Sequence, residues 1–405
     1  MRLLNFNLNT KSDRFLSSLR KTAIFVFCLF CLTMPVFAQD ETTDASSDAN
    51  VSYVSGKILQ IVSEKDNKDL EESFHTEQIT QIAKVLVLSG KYKGKIINIE
   101  NQLTSSPIYD INIKPGNRVV LSIEETPNGA EFYISDLERV PVLLIITGIF
   151  LFLLLVVGGK QGLRSIFSIL ITAILIFFVL VPAVLNNFPI IPMTVLIAFL
   201  STFITMFIVG GVNLKSLSAA LGTVLSVFIA GLMSSLVIKF APLNGFSSQE
   251  AIMLWSNRAD LNFTGLLTAG VIIASLGAVM DVGMSIASSI YEFKKVNKAL
   301  TTRELFKSGL NVGKDIMGTM SNTLILAYIG SAFSLVLLAS NAPLIKLLNL
   351  NSIAAEITSA ITGSIGIVFC VPITALIAAY LIGKYTNKES QLDKSSEKLE
   401  KQASL

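Results

Sequence analysis

The chain has 405 residues, of which 52% are hydrophobic and only 15% are charged, and its mean hydropathy is +0.64. Soluble globular domains carry roughly 25% charged residues, so this composition excludes an ordinary soluble protein and predicts a membrane protein with several spans. The formal net charge of +3 is too small to indicate a nucleic-acid partner.

The first predicted element is a signal peptide, residues 1–38. Arg14, Arg20 and Lys21 precede the apolar run TAIFVFCLFCLTMPVFA, which ends in a small-residue pattern of the kind that signal peptidase accepts. The alternative is an uncleaved first span over residues 22–38, which is about as short as a bilayer-crossing helix can be. Either segment places the following domain outside the cytoplasm.

A polar linker, residues 39–50, leads to a region of short β-rich runs, residues 51–139. About five alternating runs, separated by turn signals such as KPGN and PNG, predict a small extracytoplasmic all-β domain of OB-like type. Lys91, Lys93 and Lys95 in the stretch SGKYKGK fit either a solvated hairpin rim or an anion site.

Residues 140–384 predict a transmembrane domain. Seven apolar segments of about twenty residues are each long enough to cross a hydrocarbon core of roughly 30 Å. Their approximate bounds are 140–159, 165–185, 190–211, 216–238, 264–288, 319–340 and 361–383. The expected fold class is a membrane all-α bundle of about seven transmembrane helices, preceded by the β domain and followed by a charged tail, residues 385–405.

The basic residues are sorted by side of the membrane. With the β domain outside, the outer connectors hold only Lys239, Arg258 and Lys346. The positive-inside rule therefore predicts a cytoplasmic C-terminus and a multi-pass protein of the bacterial plasma membrane. The inner connectors and tail hold Lys160, Arg164, Lys215, Lys294, Lys295, Lys298, Arg303, Lys307, Lys314, Lys384, Lys388, Lys394, Lys398 and Lys401.

Two connectors carry helix-start signals. Ser247 and Glu250 have capping-box spacing before an apolar patch with Trp255, which predicts a short helix at the outer membrane surface. Thr301 and Glu304 have the same spacing and predict an amphipathic helix at the cytoplasmic surface. The apolar face of that second helix comprises Leu305, Phe306, Leu310 and Gly313.

The fifth apolar segment contains a carboxylate, Asp281. Helical spacing places Gly277, Asp281 and Ser285 on one stripe, and Gly283 adds a small surface for a neighbouring helix. A carboxylate near the membrane interior costs at least about 2.5 kcal/mol, so Asp281 is a candidate for ion or substrate transport. The alternative is a structural hydrogen bond to a neighbouring helix.

The sixth segment begins with a second polar stripe. Asn322 and Ser321 are the expected hydrogen-bonding partners of Asp281. The alternative role for Lys314 and Asp315 is a snorkelling pair at the membrane interface. The stripe comprises Lys314, Asp315, Gly318, Ser321 and Asn322. We interpret Gly277, Gly283 and Gly318 as helix-packing glycines and the polar residues of both stripes as a candidate pathway.

From about Leu163 to Leu337 the chain resembles the YibE/F-like membrane proteins. The resemblance is closest at GAVMDVGMSIASSIYEF, at SGLNVGKDIMGTMSNTLILAYIGS and at GKQGLRS. It implies a bacterial polytopic membrane protein with an extracytoplasmic N-terminal domain, and it implies no established substrate or activity.

A more distant resemblance is to the SecD/SecF and resistance-nodulation-division proteins. These carry an aspartate-bearing span, a basic amphipathic cytoplasmic helix and a span with a polar start, in the order that spans three to seven repeat. The chain lacks their large extracytoplasmic domains and second set of spans, so the resemblance implies proton-driven pumping only if two chains associate.

Two functions therefore remain open from the sequence. The first is a transporter or proton-coupled permease component that acts through the polar stripes. The second is a non-transporting membrane scaffold whose β domain binds an envelope partner.

An enzyme, a metal and a cofactor are not expected. The sequence has no G-x-S-x-G, H-E-x-x-H or Walker A motif. Its single histidine, His75, has no evident partner ligand, and Cys370 is the only cysteine outside the signal segment. The expected partners are the lipid bilayer and either a further copy of the chain or a second membrane subunit.

Overall fold

The structure is a computed structural model in which the chain divides into two compact units, Met1–Gly159 and Lys160–Leu405. The predicted signal segment, the linker that follows it and His75 lie outside the described residues. The described residues are 51–66, 79–104, 106, 110–126, 129–339 and 343–403.

The first unit contains a five-stranded antiparallel sheet with the strand order β3-β2-β1-β4-β5. The sheet curls so that its outer strands β3 and β5 contact each other without pairing in the ladder, which makes it a half-barrel. The predicted all-β domain is confirmed, whereas the OB-like form is not. The strands are β1 (Val51–Asp66), β2 (Ile79–Val87), β3 (Ile96–Leu103), β4 (Arg118–Thr126) and β5 (Gly129–Leu137).

The core of this sheet follows from alternation along the strands. On β4, Val119, Leu121 and Ile123 are buried, while the residues between them are only partly buried. Gly56 on β1 lies where a Cβ would stand 2.9 Å from the side chains of both Leu121 and Val85, so only glycine fits at this position without displacing the core.

The hairpin between β2 and β3 carries the three lysines of SGKYKGK. Lys91 forms an ion pair with Glu125 at 2.8 Å, and this ammonium holds the pKa of the Glu125 carboxyl below its ordinary value. Lys95 lies over the ring of Tyr92, at 5.4 Å from its centroid. Lys93 is exposed.

Helices make up the rest of the described chain. A π-helical stretch, Leu175–Leu180, joins the first two of them, and the chain turns sharply at Gly159 within α1, where φ is 54°. The helices are α1 (Val140–Ile174), α2 (Val181–Leu185), α3 (Ile190–Gly210), α4 (Leu214–Phe240), α5 (Gln249–Asn257), α6 (Phe263–Val296), α7 (Thr302–Ser331), α8 (Phe333–Ala339), α9 (Leu344–Leu348) and α10 (Asn351–Ala403).

Five helical stretches in the described chain are long and apolar enough to cross a membrane. The first, Val140–Leu185, contains the predicted first and second segments in one run that is interrupted at Gly159. The predicted sixth segment falls on the end of α7 and on α8 and is not one of the five. The other four predicted segments lie within α3, α4, α6 and α10.

Small residues allow the central helices to approach one another closely. A Cβ at Gly222 of α4 would collide with Thr374 of α10, and one at Gly231 would stand 2.8 Å from Ile272 of α6. A Cβ at Gly366 would stand 2.9 Å from Ala230. Because lipid is as apolar as leucine, such close packing, and not hydrophobicity, is what stabilises contacts between helices in a bilayer.

The predicted capping box of α7 is confirmed. The Thr301 hydroxyl accepts from the Glu304 amide, and the Glu304 carboxylate accepts from the Thr301 amide at 2.8 Å. The helix then continues without a break into the polar segment that follows, so the predicted amphipathic helix and the start of the predicted sixth segment form one element. Leu305 is fully buried and contacts the bundle core, not the membrane surface.

The predicted capping box of the outer helix is wrong by one residue. The N-cap of α5 is Ser248, whose hydroxyl accepts from the Ala251 amide at 3.2 Å. The helix does expose large apolar side chains, among them Met253 and Trp255. The ring of Phe246 contacts the ring of Trp255 and holds it at the start of α6.

We expect Gly222→Ala to lower the thermal stability of the detergent-extracted protein. The added methyl would meet the backbone of Thr374 at 2.9 Å, and overpacking of this kind costs about 1–3 kcal/mol. Gly330→Ala is the matched control, since a Cβ there has no neighbour within 4 Å. Equal melting temperatures for the two variants would contradict the close contact between α4 and α10.

Candidate functional site

Helix α6 has two sharply different faces. Its inner face is completely buried against α3, α4, α7 and α10 and includes Ile272, Val279, Val282, Ile286 and Ile290. The opposite face is exposed at positions spaced by three or four residues, which is the spacing of a single helix surface. We call this exposed row the Asp281 stripe; it comprises Gly270, Ala274, Gly277, Asp281 and Ser285.

The Asp281 stripe differs from the other exposed surfaces of the apolar helices. Those surfaces carry large hydrophobic side chains, for example Leu196 and Phe199 on α3 or Phe228 and Leu232 on α4. On α6 no large hydrophobic residue is exposed before Tyr291. The stripe therefore lacks the side chains that suit contact with lipid.

A second exposed face lies on the next long helix. Helix α7 buries Leu305, Gly309, Gly313 and Leu324 and exposes polar residues on the opposite side. We call that side the Asn322 face; it comprises Lys314, Asp315, Gly318, Thr319 and Asn322. Apart from the Thr319 hydroxyl, which donates to the Ile316 carbonyl, its side chains have no hydrogen-bonding partner among the described residues.

The two helices pack antiparallel, and their contacts define a register. Gly309 lies against Ile290, and Gly313 lies against Ile286. Each residue further along α7 therefore corresponds to one residue back along α6. This register places Gly318 at about the depth of Asp281.

The predicted site residues are not bonded to one another in the described chain. No hydrogen bond or ion pair joins Asp281 to Ser321 or Asn322 in the described chain, although the sequence predicts these two as its hydrogen-bonding partners. The hydroxyl of Ser321 is buried and has no partner among the described residues. Asp281 itself is exposed on the surface of the bundle.

The three predicted packing glycines behave differently within the chain. Gly283 lies in the core, where a Cβ would stand 2.6 Å from the Thr223 hydroxyl of α4. Gly277 and Gly318 have no neighbour within 4 Å of a Cβ built on them. The small surfaces of these two glycines therefore face outward beside Asp281 and Asn322.

A buried lysine holds the turn between α6 and α7. Lys294 is 1% exposed, and its ammonium donates to the carbonyls of Lys298 and Leu300 at 2.8 and 2.9 Å. The sequence offers no signal for this role, because Lys294 stands in a run of basic residues that reads as a solvated loop.

Hydrogen bonds from Arg258, which lies just before α6, tie the start of that helix to a distant turn. The Arg258 guanidinium contacts Asp260 at 2.9 Å, and it also donates to the Leu185 carbonyl at 2.8 Å and to the Asn187 side chain at 3.3 Å. The hydrogen bond from Arg258 holds the pKa of the Asp260 carboxyl well below its ordinary range. Sequence reasoning counted Arg258 only as an outer-loop charge.

These features define the class of protein. A curled β-sheet is followed in the chain by five apolar stretches of membrane-spanning length with closely packed small residues between them, and these features indicate a multi-pass membrane protein with an N-terminal β domain.

Comparison with known families then identifies the chain more closely. A family described as YibE/F-like protein matches residues 146–384, and the YibE/F family N-terminal domain matches residues 52–137. The chain therefore belongs to the YibE/F-like family. Searches of curated proteins and of solved structures gave no significant match, and the more distant resemblance to SecD/SecF is not confirmed.

We expect Lys294→Met to destabilise the protein by about 2 kcal/mol or more, because it leaves the carbonyls of Lys298 and Leu300 without a charged donor. Lys295→Met is the matched control, since that neighbouring ammonium is exposed and is 4.0 Å from Glu292. Thermal unfolding in detergent measures both. A Lys294 variant as stable as the Lys295 variant would contradict the proposed role of the buried ammonium.

Proposed function

We propose that the chain is a transporter or proton-coupled permease component that acts through Asp281. The observation that carries this proposal is that the carboxylate lies within an apolar helix and yet is not engaged by any side chain of the described chain. An aspartate that served only to join two helices would have a bonded partner. Because no side chain of its own copy engages it, Asp281 remains available to exchange a proton or to meet a group from outside that copy.

The position of Asp281 along α6 supports this role. It lies eighteen residues beyond Phe263, or about 27 Å along the helix axis, and so on the cytoplasmic side of the membrane centre. A carboxylate within an apolar span marks a candidate ion or substrate pathway, and a position toward the cytoplasmic end of the core of roughly 30 Å lets water reach it from that side. We assign Ser285, Ser321, Asn322, Asp315 and Lys314 to the same pathway.

We further propose that seven spans cross the bilayer. A straight helix of 46 residues would be about 69 Å long, more than twice a hydrocarbon core, and the sharp turn at Gly159 divides Val140–Leu185 into two spans of ordinary length. The predicted sixth segment, at the end of α7 and on α8, brings the number of proposed spans to seven. The strand order of the curled sheet, with β1 paired to both β2 and β4, favours an OB-like β domain. The distribution of basic residues among the connectors favours a position of this domain outside the cytoplasm.

This topology predicts that a reporter fused after Lys388 is cytoplasmic and that one inserted near Asn50 is external. The reason is the excess of basic residues in the connectors assigned to the inner side. Alkaline phosphatase and green fluorescent protein, which are active on opposite sides of the bacterial plasma membrane, measure the two positions. Both reporters on the same side would rule out seven spans.

A second function is favoured by a different surface. Tyr53 on β1 and Tyr133 on β5 are exposed and lie in one cross-strand row through Ser122 of β4. Exposed tyrosines are enriched at protein interfaces. This surface supports a non-transporting membrane scaffold whose β domain binds an envelope partner.

Substitutions at Asp281 distinguish these functions. We expect Asp281→Asn to accumulate in the membrane at the wild-type level and to lose function, because the amide mimics the protonated carboxyl but cannot release a proton. The measurement is abundance by immunoblot together with rescue of a strain that lacks the protein. Asn322→Ala is measured beside it and should reduce function without reducing abundance.

Asp281→Leu supplies the contrasting case. Wild-type function in the Asn variant with loss only in the Leu variant would mean that the side chain serves helix packing and would remove the transport proposal. Full function in both variants would favour the scaffold.

A further inference from the structure

We propose that the protein is a two-fold symmetric dimer in which the Asp281 stripe of each copy packs against the Asn322 face of the other copy. This inference does not depend on what the protein transports, since it follows from the surfaces that one copy leaves open. It identifies the expected partner as a second copy of the chain and assigns the contact to particular residues on two neighbouring helices.

The first argument is that these two surfaces are unsuited to lipid. Asp281 on α6 and Asn322 on α7 are exposed within the predicted fifth and sixth apolar segments, and the described chain offers neither of them a partner. Polar groups in a bilayer face a protein neighbour or a hydrated cavity, because hydrocarbon cannot hydrogen-bond to them. Both surfaces therefore require a cover that a single copy does not provide.

The second argument is complementarity between the two surfaces. The Asp281 stripe offers one carboxylate among small residues. The Asn322 face offers the Lys314 ammonium and the Asn322 amide, both hydrogen-bond donors that suit a carboxylate, and it also carries the Asp315 carboxylate beside Lys314. A chain that carries both halves of a complementary pair on adjacent helices can cover both by a two-fold interface, in which each contact occurs twice.

The third argument is depth. A two-fold axis along the membrane normal keeps every residue at its own depth, so the register within one chain also describes the contact between two. Asp281 of one copy then lies level with Gly318 of the other. Lys314 and Asn322 lie four residues to either side of Gly318, about 6 Å along the axis, which is within reach of a lysine side chain on one side and an amide on the other.

The fourth argument is shape. Gly277 and Gly318 both have open space where a side chain would stand, and Gly270 shares this property on the same stripe. Small residues at such positions let helix backbones approach closely, which is the main source of helix association in membranes. The missing side chain at Gly318 leaves room for the Asp281 carboxylate of the other copy and for its two proposed donors, the Lys314 ammonium and the Asn322 amide.

The test is to count copies of the chain in membranes. The full chain, fused at its C-terminus to a fluorescent protein, is photobleached as single particles in native lipid vesicles, and the wild type is expected to bleach in two steps. Gly277→Leu and Gly318→Leu should each bleach in one step, because leucine fits within a single copy but blocks the contact. Gly148→Leu is the control, since its open space lies on the first helix, and it should keep two steps.

Each outcome decides the proposal. We expect the leucine variants to fold, because a Cβ at either glycine has no neighbour within 4 Å, and melting temperatures close to the wild-type value would show this. Two steps in either leucine variant would overturn the interface. One step in the wild type would overturn the dimer and point to a different subunit or to lipid as the cover.

Discussion

A polar group inside a bilayer has to find its partner within the protein, and this constraint organises the helical unit. Most buried hydroxyls in the described helices satisfy it by bonding back to their own helix, as Thr202 does to the Ala198 carbonyl and Ser226 to the Gly222 carbonyl. Once their polar atoms are satisfied in this way, the helices pack through glycine, alanine and serine surfaces. The central position of α10, which contacts α4, α6 and α7, follows from that close packing.

Three charged groups on or beside α6 meet the same constraint in different ways. Lys294 is buried and is satisfied by two backbone carbonyls, while Arg258 lies at the surface and is satisfied by a carboxylate, a carbonyl and an amide. Both charges hold connections between helices in place. Asp281 alone of the three has no such partner among the described residues, and the proposed transport role rests on this difference.

Much of the fold could be predicted from the sequence because its signals are local. Alternation identified a β domain, hydrophobic length identified the apolar helices α3, α4, α6 and α10, and the Thr301 and Glu304 spacing identified the start of α7. The merging of the first two segments could not be predicted, since their bounds depend on the backbone at Gly159. The separate helix α8 was not predicted, although the pair Gly330-Ser331 at the end of α7 is of a kind at which helices kink or end.

The candidate site was predicted in composition but not in orientation. Periodicity placed Asp281, Ser285 and Gly277 on one stripe, which the exposed face of α6 confirms. Periodicity cannot say which neighbour a stripe faces, and the contact between α6 and α7 uses Ile286 and Ile290 instead. The role of Lys294 depends on carbonyls that the turn brings together, so residue type alone gave no indication of it.

The central claim is that the Asp281 stripe is covered by protein. A cryo-electron microscopy structure of the protein in a lipid nanodisc, extracted with its partners retained, tests this claim most directly. The account predicts a second copy whose α7 lies across the stripe, with the Asn322 amide or the Lys314 ammonium within hydrogen-bonding distance of Asp281. A single copy with ordered lipid acyl chains along Gly277 and Asp281 would contradict it.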